Sequence, residues 1–126
     1  WPLRGYTKIN SPFGMRPHPI YKVNRMHNGV DISAPGGTLI MASRSGQVLI
    51  AEYNSSYGNY VVISHGNGDT TLYAHMKKLG TRAGATVKQG DTIGYVGSTG
   101  DSTGNHLHFE VRINGEPKNP LNYLAG

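Results

Sequence analysis

Eighteen glycines and seven prolines scattered through 126 residues rule out long helices. Glycine in a helix interior loses backbone entropy, and proline removes a hydrogen-bond donor. Short strands joined by turns are what such a chain can build. The length suits one domain with a real core, and residues 1–126 are expected to form it without a second domain or an internal repeat. No apolar run approaches the ~20 residues needed to cross a bilayer. The chain has no cysteine, so disulfides and thiolate metal sites are both excluded, and any metal must be held by histidine and carboxylate.

Turn signals crowd the first third: Ser11-Pro12, Arg16-Pro17-His18-Pro19, Asn28-Gly29 and Pro35-Gly36-Gly37. They predict that residues 1–37 are loop with short extended pieces. Beyond them, apolar and alternating runs predict strands over 38–42, 46–53, 59–65, 69–75, 91–96 and 106–113. Residues 77–80 hold one helical turn at most, and the tail 119–124 is expected to pack back onto the sheet. The glycines Gly90, Gly94, Gly97 and Gly100 punctuate strand and turn. No Lys-Ser/Thr pair follows them, so they do not form a phosphate loop. The fold class expected is mainly β: an antiparallel, hairpin-rich sheet with a groove on one face and little helix.

The run His106 to Ile113 carries the clearest pattern. Successive strand side chains point to opposite faces. Leu107, Phe109, Val111 and Ile113 therefore share a core face, and His106, His108, Glu110 and Arg112 share a polar one. By the same alternation Thr71, Tyr73 and His75 fall on one face, opposite Leu72, Ala74 and Met76. A sheet with one apolar and one histidine-bearing polar face has the character of a groove floor.

Six histidines are present: His18, His27, His65, His75, His106 and His108. His27 and Asp31 stand four apart, but Asn28-Gly29 between them argues against a helix. The glycine instead lets the backbone bend so that both side chains converge. Zinc takes imidazole nitrogen and carboxylate oxygen, and a catalytic site uses three protein ligands. His27, Asp31 and one of His106 and His108 make such a set. His18, between prolines, and His65, before a glycine-rich turn, read as structural. Glu110 is a possible general base, although it lies roughly 7 Å beyond His108 along the strand.

These residues sit in longer motifs. Ser11-Pro12-Phe13-Gly14-Met15-Arg16 is followed by His18-Pro19, then by His27-Asn28-Gly29-Val30-Asp31-Ile32-Ser33-Ala34-Pro35. Tyr73-Ala74-His75, Gly90-Asp91-Thr92-Ile93-Gly94 and Gly104-Asn105-His106-Leu107-His108-Phe109-Glu110 complete them. Over nearly its whole length the chain resembles the lysostaphin-type (LytM-like) zinc metallopeptidases, which cut peptidoglycan cross-links. The resemblance implies that His27, Asp31 and His108 ligate Zn²⁺ and that His75 and His106 are catalytic histidines outside the ligand set. It departs at none of these five positions. It leaves open which of His75 and His106 is the general base. Tyr73 is placed to add a hydrogen bond or line the groove, and Asn28 is a second candidate substrate contact.

The function expected is zinc-dependent hydrolysis of peptide cross-links in bacterial peptidoglycan, with the peptide as partner. A non-catalytic wall-binding or regulatory module of the same fold is the alternative; the five intact positions count against it. A carrier or phosphotransfer domain would have no use for His27 and Asp31 converging with His108. Lys and Arg number 12 against 7 Asp and Glu, a net +5. The basic residues are scattered, which excludes a nucleic-acid footprint and suits a mild attraction to an anionic wall polymer. The opening Trp1-Pro2-Leu3 has no initiator methionine or apolar leader and reads as an excised catalytic piece, with flanking domains or a propeptide outside it. The expected setting is secreted or cell envelope, and the expected state is a monomer.

Overall fold

A computed structural model describes residues 1–17, 24–100, 102 and 104–124. Twelve strands are described: β1 (Ile9–Ser11), β2 (Gly14–Pro17), β3 (Asn24–His27), β4 (Val30–Ser33), β5 (Leu39–Met41), β6 (Gly46–Asn54), β7 (Gly58–Gly66), β8 (Asp69–Leu79), β9 (Thr86–Val87), β10 (Thr92–Val96), β11 (His106–Ile113) and β12 (Glu116–Lys118). Ten of them form one antiparallel sheet with the spine β1-β4-β11-β8-β7-β6-β9. β12 pairs with β11, while β10 pairs with both β5 and β8. β2 and β3 form a separate two-stranded ribbon. The expected mainly-β, hairpin-rich architecture is what the chain adopts. The one helical element among the described residues is a 3₁₀ turn, Pro120–Asn122, which packs on β11 as expected of the tail.

The short extended pieces expected in the first third are β1 to β4, and β4 is hydrogen-bonded between β1 and β11. Its four residues, Val-Asp-Ile-Ser, are too short to stand out locally, but Val30 and Ile32 are fully buried. The turn expected over 77–80 is instead the end of β8, where Lys78 and Leu79 pair with Tyr95 and Gly94 of β10. A distant strand supplies the ladder that local sequence does not announce.

One face of the sheet carries the main core, including Val30, Ile32, Ile63, Tyr73, Met76, Leu107 and Phe109. Each such side chain contributes about 1.5–3 kcal/mol on full burial. The opposite face carries a smaller cluster of Tyr60, Leu72 and Ala74, with Tyr57 and Val62 packed against it. The alternation of β11 holds as read: Leu107, Phe109 and Val111 enter the core, and His108 and Glu110 face the other way.

The alternation of β8 holds only as far as Ala74. Asn59 pairs with Met76 and Val61 with Tyr73, so β8 has one residue more than β7 over this step. That extra residue makes a β-bulge. His75 occupies it with φ 62°, a left-handed conformation. The phase of the strand shifts there, and Met76 returns to the core while His75 leaves the face of Tyr73.

Candidate active site

β3 and β4 are joined by Asn28 and Gly29 alone, so His27 ends one strand and Asp31 opens the next. Gly29 is glycine for lack of space, not for a bend. A Cβ there would lie 2.3 Å from the Phe109 carbonyl oxygen and 2.8 Å from Glu110 Cγ. The link is thus pressed onto β11, and the register then sets Asp31 directly opposite His108. Gly29→Ala should lower stability by about 3 kcal/mol, the upper range for overpacking, because the obstacle is backbone. Thermal unfolding measures it; a midpoint equal to that of the parent would refute the packing argument.

Asp31 is the hub. Its Oδ1 accepts from His108 Nδ1 at 2.8 Å, and the Nε2 atoms of His27 and His106 lie 3.5 and 3.6 Å away. Burial pushes its carboxyl up, but hydrogen bonds and charge from His108 and His27 outweigh this and hold it well below the usual carboxylate range. Burial likewise opposes the charge on His108. Its bonds to Asp31 and Glu110 prevail and push it up to about 9. His27 is oriented by Nδ1–H donating to the Pro12 carbonyl at 2.8 Å, which leaves the Nε2 lone pair for the centre.

His27, Asp31 and His108 each bring a donor atom within 4.8 Å of the others. Of the two strand histidines, His108 brings its donor atom into this cluster and His106 does not. Two imidazoles and one carboxylate are a donor set that fits Zn²⁺, with no thiolate in competition.

His75 and His106 flank this centre, their rings 4.9 Å apart. The His75 backbone N–H donates to the Tyr57 carbonyl at 2.7 Å, and its Nδ1 lies 2.7 Å from the Thr99 carbonyl. These contacts hold the left-handed conformation, which costs about 1–3 kcal/mol. Thr99 is fixed in turn, because its Oγ1 donates to the Met76 carbonyl at 2.7 Å. Burial, followed by the opposing Thr99 bond and the like charges of His106 and His108, leaves His75 below the ordinary imidazole value. His106 Nδ1 lies 2.8 Å from the Gly104 carbonyl, which turns Nε2 towards Asp31.

Other expectations divide. Tyr73 does not line the groove: it is fully buried on the core face, bonded to Ser43 and Thr71 and packed on Phe109. The same local alternation that paired it with His75 is broken by the bulge. Asn28 is partly buried in the β3–β4 link. His65 is structural as read, bridging the Ser45 carbonyl and the Thr71 hydroxyl. His18 lies outside the described residues. Tyr57 went unnoticed in the sequence because nothing in Ser55-Ser56-Tyr57-Gly58 marks it. Its ring stacks on His108 with centroids 5.9 Å apart. A cavity of about 350 Å³ lined by Ser43, Thr71 and Phe109 lies on the other face of the sheet, away from these groups.

Residues 25–120 match the model of peptidase family M23. The chain is 51% identical over 116 residues to the DD-carboxypeptidase/endopeptidase Mpg of Neisseria meningitidis serogroup B, covering 92% of this chain and 27% of that protein. It is 43% identical over 116 residues to the peptidoglycan DD-endopeptidase ShyC of Vibrio cholerae, covering 91% and 27%. It therefore spans about a quarter of the length of these relatives. Among solved structures, a zinc-containing peptidase from Vibrio cholerae superimposes with a TM-score of 0.89 at 34% identity, covering 100% of this chain and 39% of that one.

Proposed function

The chain belongs to peptidase family M23, and from that membership we propose that it is a zinc-dependent endopeptidase acting on the peptide cross-links of bacterial peptidoglycan. The observation that carries this reading is the convergence of His27, Asp31, His75, His106 and His108 from strands β3, β4, β8 and β11. A module retained only for binding has no use for that set. The activity in the name of the Vibrio relative supports the substrate, and the zinc of the similar structure supports the metal. The proposed setting is extracytoplasmic, where this polymer lies.

Zinc held by His27 Nε2, Asp31 Oδ1 and His108 Nδ1 would supply a Lewis acid that polarises the scissile carbonyl and lowers the pKa of water. His75 and His106 are assigned to proton transfer and to steadying the negative charge that develops on the attacked carbonyl. Each presents Nδ1 to a backbone carbonyl, which places the N–H there and leaves an Nε2 lone pair. Whichever of the two steadies the oxyanion does so as imidazolium, once Nε2 has taken a proton. Asn28, beside His27, is assigned to substrate contact.

The test is digestion of purified peptidoglycan by the zinc-loaded chain, with mass spectrometry of the released fragments. Cross-linked dimers should fall to monomers, chelation should stop the reaction, and the product termini identify the bond cut. A folded, zinc-loaded chain that leaves the cross-links intact would sink the proposal.

A further inference from the structure

Glu110 is fully buried, and a buried carboxylate is tolerated only when its acceptor sites are filled. Here they are. Oε2 accepts from His108 Nε2 at 2.7 Å and from the Tyr57 hydroxyl at 2.9 Å. Oε1 accepts from Arg112 Nε at 2.8 Å and lies 2.6 Å from Arg112 Nη2. Arg112 also donates to the Tyr57 hydroxyl at 3.2 Å. With both oxygens engaged by four donors, Glu110 has no lone pair to offer a substrate, so the general-base role considered from its spacing falls away.

The arrangement has another consequence. His108, Glu110 and Arg112 stand on one face of β11 at successive alternate positions. Tyr57 reaches over them from the turn between β6 and β7 and covers the His108 ring, with an interplanar angle of 26°. The ring is thus fixed in its plane by Tyr57 and along its Nε2 edge by Glu110. Without metal both ring nitrogens donate, Nδ1 to Asp31 and Nε2 to Glu110. A metal at Nδ1 would take the place of the proton there, and the acceptor at Nε2 holds the one N–H that a neutral imidazole keeps. We propose that Glu110 is a positioning residue of the metal centre. Held by Arg112 and Tyr57, it keeps the His108 proton on Nε2 and so commits Nδ1 to the metal beside Asp31 and His27. Its charge also raises the donor strength of Nδ1. The inference rests on the metal reading above.

Three proteins test it: the parent, Glu110→Gln and Glu110→Leu. The glutamine keeps an acceptor oxygen without the charge, and the leucine removes both at similar volume. Zinc dissociation constants are measured by competition with a chromogenic chelator at constant pH, with circular dichroism as the check on fold. The constant should rise about 10-fold in Glu110→Gln and about 100-fold in Glu110→Leu, the range for an outer partner of a ligating histidine. In ¹⁵N-edited imidazole spectra of the zinc-loaded proteins, the protected His108 Nε2–H of the parent should be lost in Glu110→Leu. Variants that bind zinc as tightly as the parent, even with a lowered unfolding midpoint, would reduce Glu110 to a structural role and overturn the proposal. If Glu110→Leu does not fold, Glu110→Gln decides alone. A parent that binds no zinc would instead bring down the metal reading, and this proposal with it.

Discussion

Replacing His106 by alanine or His75 by asparagine should leave the fold and the metal in place and lower the rate of cross-link hydrolysis by about 10²–10⁴-fold, the usual loss for a proton-transfer or charge-stabilising group. Asparagine is the right probe at His75, because the backbone there has φ 62° and asparagine tolerates that region where alanine does not. Neither side chain belongs to the set of three donors that converge, so zinc content should match the parent. The pH profile adds a check on His75. Burial disfavours its cation and sets its pKa below the ordinary imidazole value, the Thr99 bond opposing only in part. The proton-accepting form is therefore present below that value, and is lost only as pH falls through the lowered pKa. With His75 as general base, the parent's acid limb should lie below ~6.5, with activity rising through it as pH increases. With His75 steadying the oxyanion as imidazolium, activity should instead fall as pH rises through the lowered pKa. Steady-state rates on a soluble cross-linked peptide, taken under saturating zinc, measure both effects. A variant that sheds its metal would show that the histidine is a ligand, and one as active as the parent would remove it from the chemistry.

Asp31→Ala should strip the centre of metal. Asp31 is the sole anion among the three converging donors, and its Oδ1 is the atom that all three neighbouring imidazoles approach. Its carboxyl is held well below the usual range, so it is ionised at neutral pH. Loss of a mere outer partner weakens metal binding about 10–100-fold, so loss of the carboxylate itself should exceed ~100-fold. The variant also leaves His108, which Asp31 and Glu110 together hold up to about 9, with one carboxylate neighbour instead of two. Elemental analysis after dialysis against a mild chelator reads the outcome, with Asp69→Asn as a control at a carboxylate paired to Arg44 on a different part of the sheet. An Asp31→Ala protein that keeps zinc as the parent does would remove Asp31 from the ligand set.

Much of this was legible in the chain itself. Glycine and proline density excluded helices, and the strict alternation of His106 to Ile113 placed Leu107 and Phe109 in the core and His108 and Glu110 on the opposite face. Both are properties of a few adjacent residues, which side-chain geometry alone dictates. The lack of cysteine limited a metal to imidazole and carboxylate, and the motifs around His27, His75 and His106 pointed to the family.

What only the tertiary structure decided is whatever depends on pairing between distant segments. Asp31 and His108 are 77 residues apart and meet because β4 docks on β11 in one register, with Gly29 pressed against the Phe109 carbonyl. Alternation put His75 beside Tyr73. Tyr73 keeps the core face opposite Phe109, while the bulge in β8, where that strand leaves β11 and takes up β10, turns His75 away from it towards His106 and His108. Tyr57 reaches His108 only because the β6–β7 hairpin folds over the face of the sheet. A local pattern assigns a side chain to a face for as long as its strand is regular. Register, bulges and strand neighbours are set by contacts across the whole sheet, and in this protein those contacts assemble the site.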